Sequence, residues 1–468
     1  MDGTNFSVTD LILHISSKPD WSTKILDPKI IAKWKKELED QLIKTVYLDL
    51  VIELLKQYPS TSNVSSDDKT YKWVIDLNVE PKEFGIAVNC KCKCKVCQGC
   101  EPIENDESDD SETQYADVCE CSPSALAKRK HEYVMSNIQY VDNLIDHQTK
   151  KFFKDNVEHL KTNIPIIYHP GSNNQMVDLV HPSLYCYVKG ISKLKPNTVA
   201  DGNIIFQWLP ADFKIDKGEV FIKSYINNLD QFKYVDLYVA IANIFGKFVP
   251  KFELVLDKLL QTQKLSERRS LSNCQVIVKI AETVLTPDNP GTPPSMWHLE
   301  GLPHETIIAT GIYYYEMTNI TENSLEFRGT LTDFVDIDYP QNGEMYVESH
   351  YGFSGNIPDT FDNTGSVINL SSVDTHENLC LVFPNFMQHR VSNFGLEDES
   401  KPGYRKILVF FLIDPAHRIL STADVPPQQG LISLTDAKVF MEMLMFQRKF
   451  EMKEQKKFYD RGWSLCEH

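Results

Sequence analysis

Apolar residues recur along this chain with two different periods, and the change from one to the other divides it. From Asp27-Pro28, an acid followed by a proline suited to opening a helix, Ile31, Trp34 and Leu38 follow at helical spacing. Apolar residues continue to Leu55 before Tyr58-Pro59, predicting a packing helix over this stretch. Residues 124–162 also read as helical. Leu237, Ile241, Ile244, Phe248, Phe252, Val255 and Leu259 mark one side of a long amphipathic helix over 236–260, with Pro250 placed to kink it. Strand-like runs occur at 203–209 and 219–222. Beyond Asn273 the period shortens, predicting strands at 275–280, 306–315, 379–383, 386–391 and 405–413. A charged helix over 435–457 closes the pattern.

Short strands joined by polar turns such as Pro384-Asn385 point to an antiparallel sandwich. The fold class expected is α+β, a helical N-terminal region packed on a C-terminal double-stranded β-helix, or jelly roll. The expected division is an N-terminal helical region (1–89), a Cys-rich acidic insert (90–122) and a helical support region with short strands (123–270). The double-stranded β-helix catalytic domain (271–434) and a C-terminal helix (435–468) follow.

Composition changes the picture mainly at the insert. The chain has 468 residues, 42% of them hydrophobic, enough for a substantial core. Its 48 Lys and Arg stand against 65 Asp and Glu, a net charge of −17, which argues against nucleic-acid binding as the main task. Lys128-Arg129-Lys130-His131 reads as the polar face of a helix. The start, Met1-Asp2-Gly3-Thr4-Asn5, has no signal-peptide character, and the apolar run 407–413 is too short to span a bilayer. An intracellular, soluble, cytoplasmic protein with no membrane contact is expected. Seven of the 11 cysteines, Cys90, Cys92, Cys94, Cys97, Cys100, Cys119 and Cys121, surround an acidic stretch over 101–112 that is too polar to form a core. In a reducing compartment such a cluster suits zinc, but its spacing matches no standard finger. Zinc ligands and reduced thiols on a solvated loop both stay open.

The candidate chemistry lies in Trp297-His298-Leu299-Glu300. On a strand, His298 and Glu300 point the same way while Trp297 and Leu299 pack behind. With His389 from a distant strand they make a two-histidine, one-carboxylate set, which leaves positions open on a non-haem iron. Arg405 opens the apolar strand that follows, a fixed cation suited to the far carboxylate of 2-oxoglutarate. A structural salt bridge is the competing use of Arg405. His304, His350 and His376 sit in polar, loop-like settings and read as surface histidines. Asn227 and Asn228 read as a turn, with substrate contact the lesser alternative.

Thr310-Gly311-Ile312-Tyr313-Tyr314 resembles the co-substrate strand of 2-oxoglutarate-dependent prolyl hydroxylases of the oxygen-sensing type. In those enzymes a tyrosine sixteen residues past the first ligand bonds the distal carboxylate of the co-substrate; at that offset from His298 stands Tyr314, with Thr310 on the same face. Over nearly its whole length the chain also resembles an uncharacterised, mainly fungal family. The phrases that carry this are Lys18-Pro19-Asp20-Trp21, Trp208-Leu209-Pro210, Trp297-His298-Leu299-Glu300-Gly301, residues 384–391 and Arg405-Lys406-Ile407-Leu408. The Cys-rich insert lies outside that pattern. Two departures from the oxygenase pattern stand out: Glu300 replaces the commoner Asp, and the spacing from His389 to Arg405 is long.

The reading that follows is an Fe(II)- and 2-oxoglutarate-dependent oxygenase. His298, Glu300 and His389 would hold iron, and Arg405, Tyr314 and Thr310 would hold the co-substrate. The prime substrate, a protein or a small molecule, is not specified. The alternatives are a cupin-like metalloprotein without oxygenase activity and a non-catalytic, zinc-binding interaction protein.

Overall fold

The computed structural model describes residues 8–39, 44–57, 123–262, 264–330 and 367–459. At the N-terminal end lie α1 (Val8–Ser16), α2 (Trp21–Lys24), α3 (Pro28–Glu39) and α4 (Thr45–Gln57). Asp27 accepts the Lys29 N–H at 2.8 Å, as the Asp-Pro start predicts. The expected single helix to Leu55 is two helices, α3 and α4. Both place leucines and isoleucines in one shared core. The Cys-rich insert and its acidic stretch lie outside the described residues.

Residues 124–162 are not continuously helical. Helix α5 (Pro123–Asn137) gives way to strand β1 (Gln139–Asp142), and α6 (His147–Thr162) begins where Asp146 caps the Thr149 N–H at 2.9 Å. Strands β2 (Met176–Val180), β3 (Tyr187–Val188), β4 (Phe206–Gln207), β5 (Ala211–Asp216) and β6 (Glu219–Ile222) follow. The run 203–209 thus contributes only a two-residue strand, whereas β5, with Lys and Asp alternating between apolar residues, carried too weak a pattern to be read.

Helix α7 (Val235–Gln261) spans Pro250. The sandwich strands are β7 (Asn273–Leu285), β8 (Gly291–Thr292), β9 (Ile307–Thr318), β10 (Asn323–Thr330), β11 (Val367–Thr375), β12 (Leu379–Pro384), β13 (Gln388–Val391), β14 (Phe394–Gly395) and β15 (Gly403–Ile413). Helix α8 (Leu434–Tyr459) closes the described chain. None of the described helices is long and apolar enough to cross a membrane.

A large antiparallel sheet runs β1-β12-β9-β15-β7-β5-β6, with β2 also paired to β7; a small one runs β11-β10-β13. Register sorts the large sheet into two faces, because directly paired residues share a face. Phe411 pairs with Thr310, Thr310 with Phe383, Ile407 with Tyr314, and Val409 with Lys279. By alternation Arg405 joins this face. The opposite face holds Phe410 and Gly311, against which α7 lays Phe245, Phe248 and Phe252. Gly311 is required there, since a Cβ would sit 2.9 Å from both Phe248 Cδ1 and Phe252 Cζ. Across from the first face stands the small sheet. Phe327 of β10 packs edge-on against Phe383 of β12 at 5.3 Å between centroids. Helices therefore cover one face of the large sheet, and the other looks into the sandwich.

Candidate metal and co-substrate site

His298 and Glu300 lie on an extended segment before β9, not on a regular strand as expected. One isolated bridge fixes the segment: the His298 N–H donates to the His389 carbonyl at 3.2 Å, and the His389 N–H to the His298 carbonyl at 3.1 Å. Extended geometry still alternates the side chains. Trp297 turns outward between Arg328 and Arg390, whose guanidinium carbons lie 4.8 and 4.6 Å from its ring. His298 turns inward. His389 pairs with Phe327 across β13 and β10 and is buried against Phe383, with ring centroids 4.7 Å apart.

The two imidazoles are 4.5 Å apart, and both Nε2 atoms face Glu300 Oε1, at 3.7 Å from His298 and 3.5 Å from His389. Their other nitrogens are tethered alike. His298 Nδ1–H donates to the Met296 carbonyl at 2.8 Å, and His389 Nδ1–H to the Met387 carbonyl at 3.3 Å. A carbonyl only accepts, so a neutral ring at each position leaves its Nε2 lone pair directed at the carboxylate. Two lone pairs facing an anion repel it unless a cation stands between them. Ligand atoms of all three residues lie within 4.8 Å of one another, so modest movement brings them to the ~3 Å separation of neighbouring ligands about 2 Å from one ion.

Protonation is the other way to relieve that repulsion, and the charges show it. Burial works against ionised Glu300, but the two histidines outweigh burial and hold its carboxyl well below the usual range. Burial pushes His298 down, yet Glu300 outweighs it and the ring sits above its ordinary value. His389, lowered by burial and then by the charge on His298, stays below its own. A metal ion among the three groups would relieve the same repulsion with three donors already in place.

Deeper along the same face, Arg405 is 5% exposed and its guanidinium carbon lies 4.7 Å from the Tyr314 ring centre. It makes no ion pair with any described carboxylate. Arg405 Nε, the Tyr314 hydroxyl and the Thr310 hydroxyl are all buried without a hydrogen-bond partner among the described residues. Burial raises the Tyr314 phenol, against the opposing charge of Arg405. A buried guanidinium left without an anion is costly, by several kcal/mol in order of magnitude, and no described carboxylate serves Arg405. The donors suit the carboxylate of a bound diacid. Tyr313 and Tyr315 instead point to the helical side, where Phe153 packs on Tyr315 at 5.1 Å.

A family model described as a protein of unknown function (DUF4246) matches residues 123–274 and 260–433, and a model of the N-terminal domain of DUF4246 matches residues 5–37. The chain belongs to the DUF4246 family. No curated protein matches it. Solved structures resemble this DUF4246 chain at low similarity, three of them as follows. IDO from Bacillus thuringiensis does so with a TM-score of 0.30 at 11% identity, over 62% of this chain and 95% of its own. The Fe(II)/α-ketoglutarate-dependent dioxygenase TqaL has a TM-score of 0.28 at 11% identity, over 62% and 87%. A Pseudomonas putida prolyl-4-hydroxylase has 0.27 at 7% identity, over 62% and 98%. Such scores are too low to argue a shared fold or activity, so the site stands on its own geometry.

Several polar groups brace the site of this DUF4246 chain. Buried Asn385, in the turn between β12 and β13, uses its amide as a clamp. Its Oδ1 accepts the Glu300 N–H at 2.9 Å, and its Nδ2 donates to the carbonyls of Glu300 and Ile307 at 2.9 Å each. Among the rival histidines, His376 is exposed as expected and pairs with Asp142 at 2.6 Å. His304 is not a surface residue: half-buried, it donates from Nε2 to the Phe206 carbonyl at 3.0 Å. His350 and the seven clustered cysteines lie outside the described residues. Asn227 is structural, donating to the carbonyls of Pro182 and Leu184 at 3.2 and 3.0 Å.

A second cluster, His169, Asp178 and His181, went unread in the sequence because a hairpin brings its members together. Its protons argue against a cation. His169 Nδ1–H donates to Asp178 Oδ2 at 3.0 Å. His181 Nδ1 accepts the Ser183 N–H at 3.1 Å, which puts the proton of the neutral ring on Nε2, 4.0 Å from the same oxygen. Two imidazole protons thus occupy the space a metal would need. Burial drives His181 down to about 3; the two histidines outweigh burial and hold Asp178 at about 2.

Proposed function

We propose that this chain is a non-haem Fe(II), 2-oxoglutarate-dependent oxygenase built on a double-stranded β-helix, acting on a C–H bond of a substrate not yet identified. The observation that carries it is the paired tether of His298 and His389, which aims both Nε2 lone pairs at Glu300. In this reading His298, Glu300 and His389 hold the iron. Arg405, with Tyr314 and Thr310, holds the distal carboxylate of 2-oxoglutarate. Bound together, iron and co-substrate supply O₂ activation coupled to oxidative decarboxylation to succinate and CO₂.

The chain's own part is orientation and dryness. The carbonyls of Met296 and Met387 fix the imidazole tautomers, and the Asn385 clamp fixes the Glu300 backbone. Ile312, Ile407, Val409 and Phe411 make the sheet face between the two ends apolar. Arg405, without an ion partner among the described residues, also separates this reading from a cupin-like metalloprotein, which needs no such cation.

The test is succinate formation from 2-oxoglutarate by anaerobically purified protein given Fe(II) and then O₂, beside His298→Ala and Arg405→Ala. Uncoupled turnover in the wild type that both variants lose supports the proposal. No turnover, together with no 2-oxoglutarate binding to the metal-loaded protein, refutes it.

A further inference from the structure

We infer that Arg448, on the C-terminal helix α8, is a positioning residue for Glu300, acting through the buried carboxylate of Glu305. The inference rests on the reading of His298, Glu300 and His389 as metal ligands.

Glu305 is fully buried, and both of its oxygens are used twice. Oε1 accepts the Trp208 N–H at 2.6 Å, and Oε2 accepts the Leu302 N–H at 2.6 Å. Arg448 Nη2 donates to both oxygens, at 2.8 and 2.7 Å. The Arg448 guanidinium carbon lies over the Trp208 ring, 3.5 Å from its centre. Leu302 is two residues past Glu300, and the residue between is Gly301, at φ +79°. A Cβ on Gly301 would sit 2.6 Å from Ile307 Cδ1 and 3.0 Å from Glu305 Oε2. The turn that carries the candidate carboxylate ligand is therefore folded down onto Glu305. With the Asn385 clamp holding the Glu300 backbone, the turn is held on both sides of its ligand.

Fold stability alone does not account for this pair. Apolar replacement of a buried ion pair is often neutral or stabilising. What an apolar pair cannot do is accept the Leu302 and Trp208 N–H groups together, and those bonds set where residues 300–302 lie. Docking of α8 thereby becomes part of the metal site. The N-terminal end of α8 takes Lys44 on Asp436 at 2.5 Å, and Tyr47 of α4 bonds the same carboxylate.

The test is Mn(II) binding, with Co(II) absorption as the readout of ligand geometry. Removing Arg448 alone would strand a buried carboxylate, so the variants are Arg448→Lys and the double replacement Glu305→Met with Arg448→Met. The control is Phe252→Leu, a core change on the helical side of the large sheet. At a temperature where every variant is folded, the double variant binds Mn(II) about tenfold more weakly and has altered Co(II) bands. Arg448→Lys falls between it and the wild type, and Phe252→Leu stays within about twofold of the wild type. Variant affinities and spectra equal to those of the control would overturn the inference and leave the pair a fold staple. Should the double variant not fold, Arg448→Lys decides by the same comparison. A wild type that binds no Mn(II) sinks the metal reading itself, and this inference with it.

Discussion

His298 and His389 bond to each other through their backbones, at 3.2 and 3.1 Å, while their side chains face the same oxygen of Glu300. This pairing joins the segment before β9 to strand β13 of the small sheet, so the two histidines are fixed to the sandwich by their own backbones, and Glu300 stands in the turn just beyond. Rigid placement of this kind is what an open metal site needs.

Arg405→Lys tests the co-substrate end. A lysine keeps the charge but presents a point donor in place of a planar fork. Loss of one charge-assisted hydrogen bond, about 2 kcal/mol, corresponds to a roughly thirtyfold higher KM for 2-oxoglutarate. Steady-state succinate formation should show the change in KM with kcat altered much less. An unchanged KM would remove Arg405 from the co-substrate site.

Asn385→Ala removes three hydrogen bonds and strands the Glu300 N–H. A loss of about 2–3 kcal/mol in urea unfolding is expected, with weakened metal binding. Asn385→Asp should recover the bond from the Glu300 N–H but neither donation, and so fall short of wild type in both measurements.

Gly311→Ala separates fold from site. Its Cβ would press on Phe248 and Phe252 from the face opposite the candidate ligands. Overpacking of this size costs about 1–3 kcal/mol. The variant should melt lower yet bind Mn(II) with wild-type affinity once folded.

Stability should fall in mild acid because of His181. Its folded value of about 3 lies below the ordinary 6.5, so the unfolded chain takes up a proton that the folded chain refuses. The stability contribution is complete above pH 6.5 and is lost as pH falls toward 3, by at most about 1.4 kcal/mol per pH unit. Asp178, held at about 2, adds a further loss only below its ordinary 3.8. His181→Asn keeps an acceptor for the Ser183 N–H and should flatten the slope in urea unfolding series between pH 6.5 and 4.

The sequence showed what depends on apolar pattern or on chemistry within a few residues. The run from Arg405, the helix under the large sheet and the phrase around His298 were all legible in this way. Strands β10 and β11 were not, because Leu325 and Phe327 are the only large apolar side chains that β10 carries. Asn385 and His304 looked like turn and surface residues, and Glu305 stood out in no pattern; their roles depend on backbone groups brought near by the fold. The His169, Asp178 and His181 cluster was hidden for the same reason. The regular strand expected under His298 and Glu300 proved to be a single bridge, yet alternation along extended backbone delivered the side-chain placement that a strand would have given.

The most direct measurement is the visible absorption of Fe(II)-loaded protein titrated anaerobically with 2-oxoglutarate, where chelation of a 2-oxo acid to Fe(II) gives a charge-transfer band. The account predicts a saturable band at one equivalent of iron, absent in His298→Ala and shifted to much higher 2-oxoglutarate in Arg405→Met. No 2-oxoglutarate-dependent band in the wild type, or an undiminished band in His298→Ala, would contradict it.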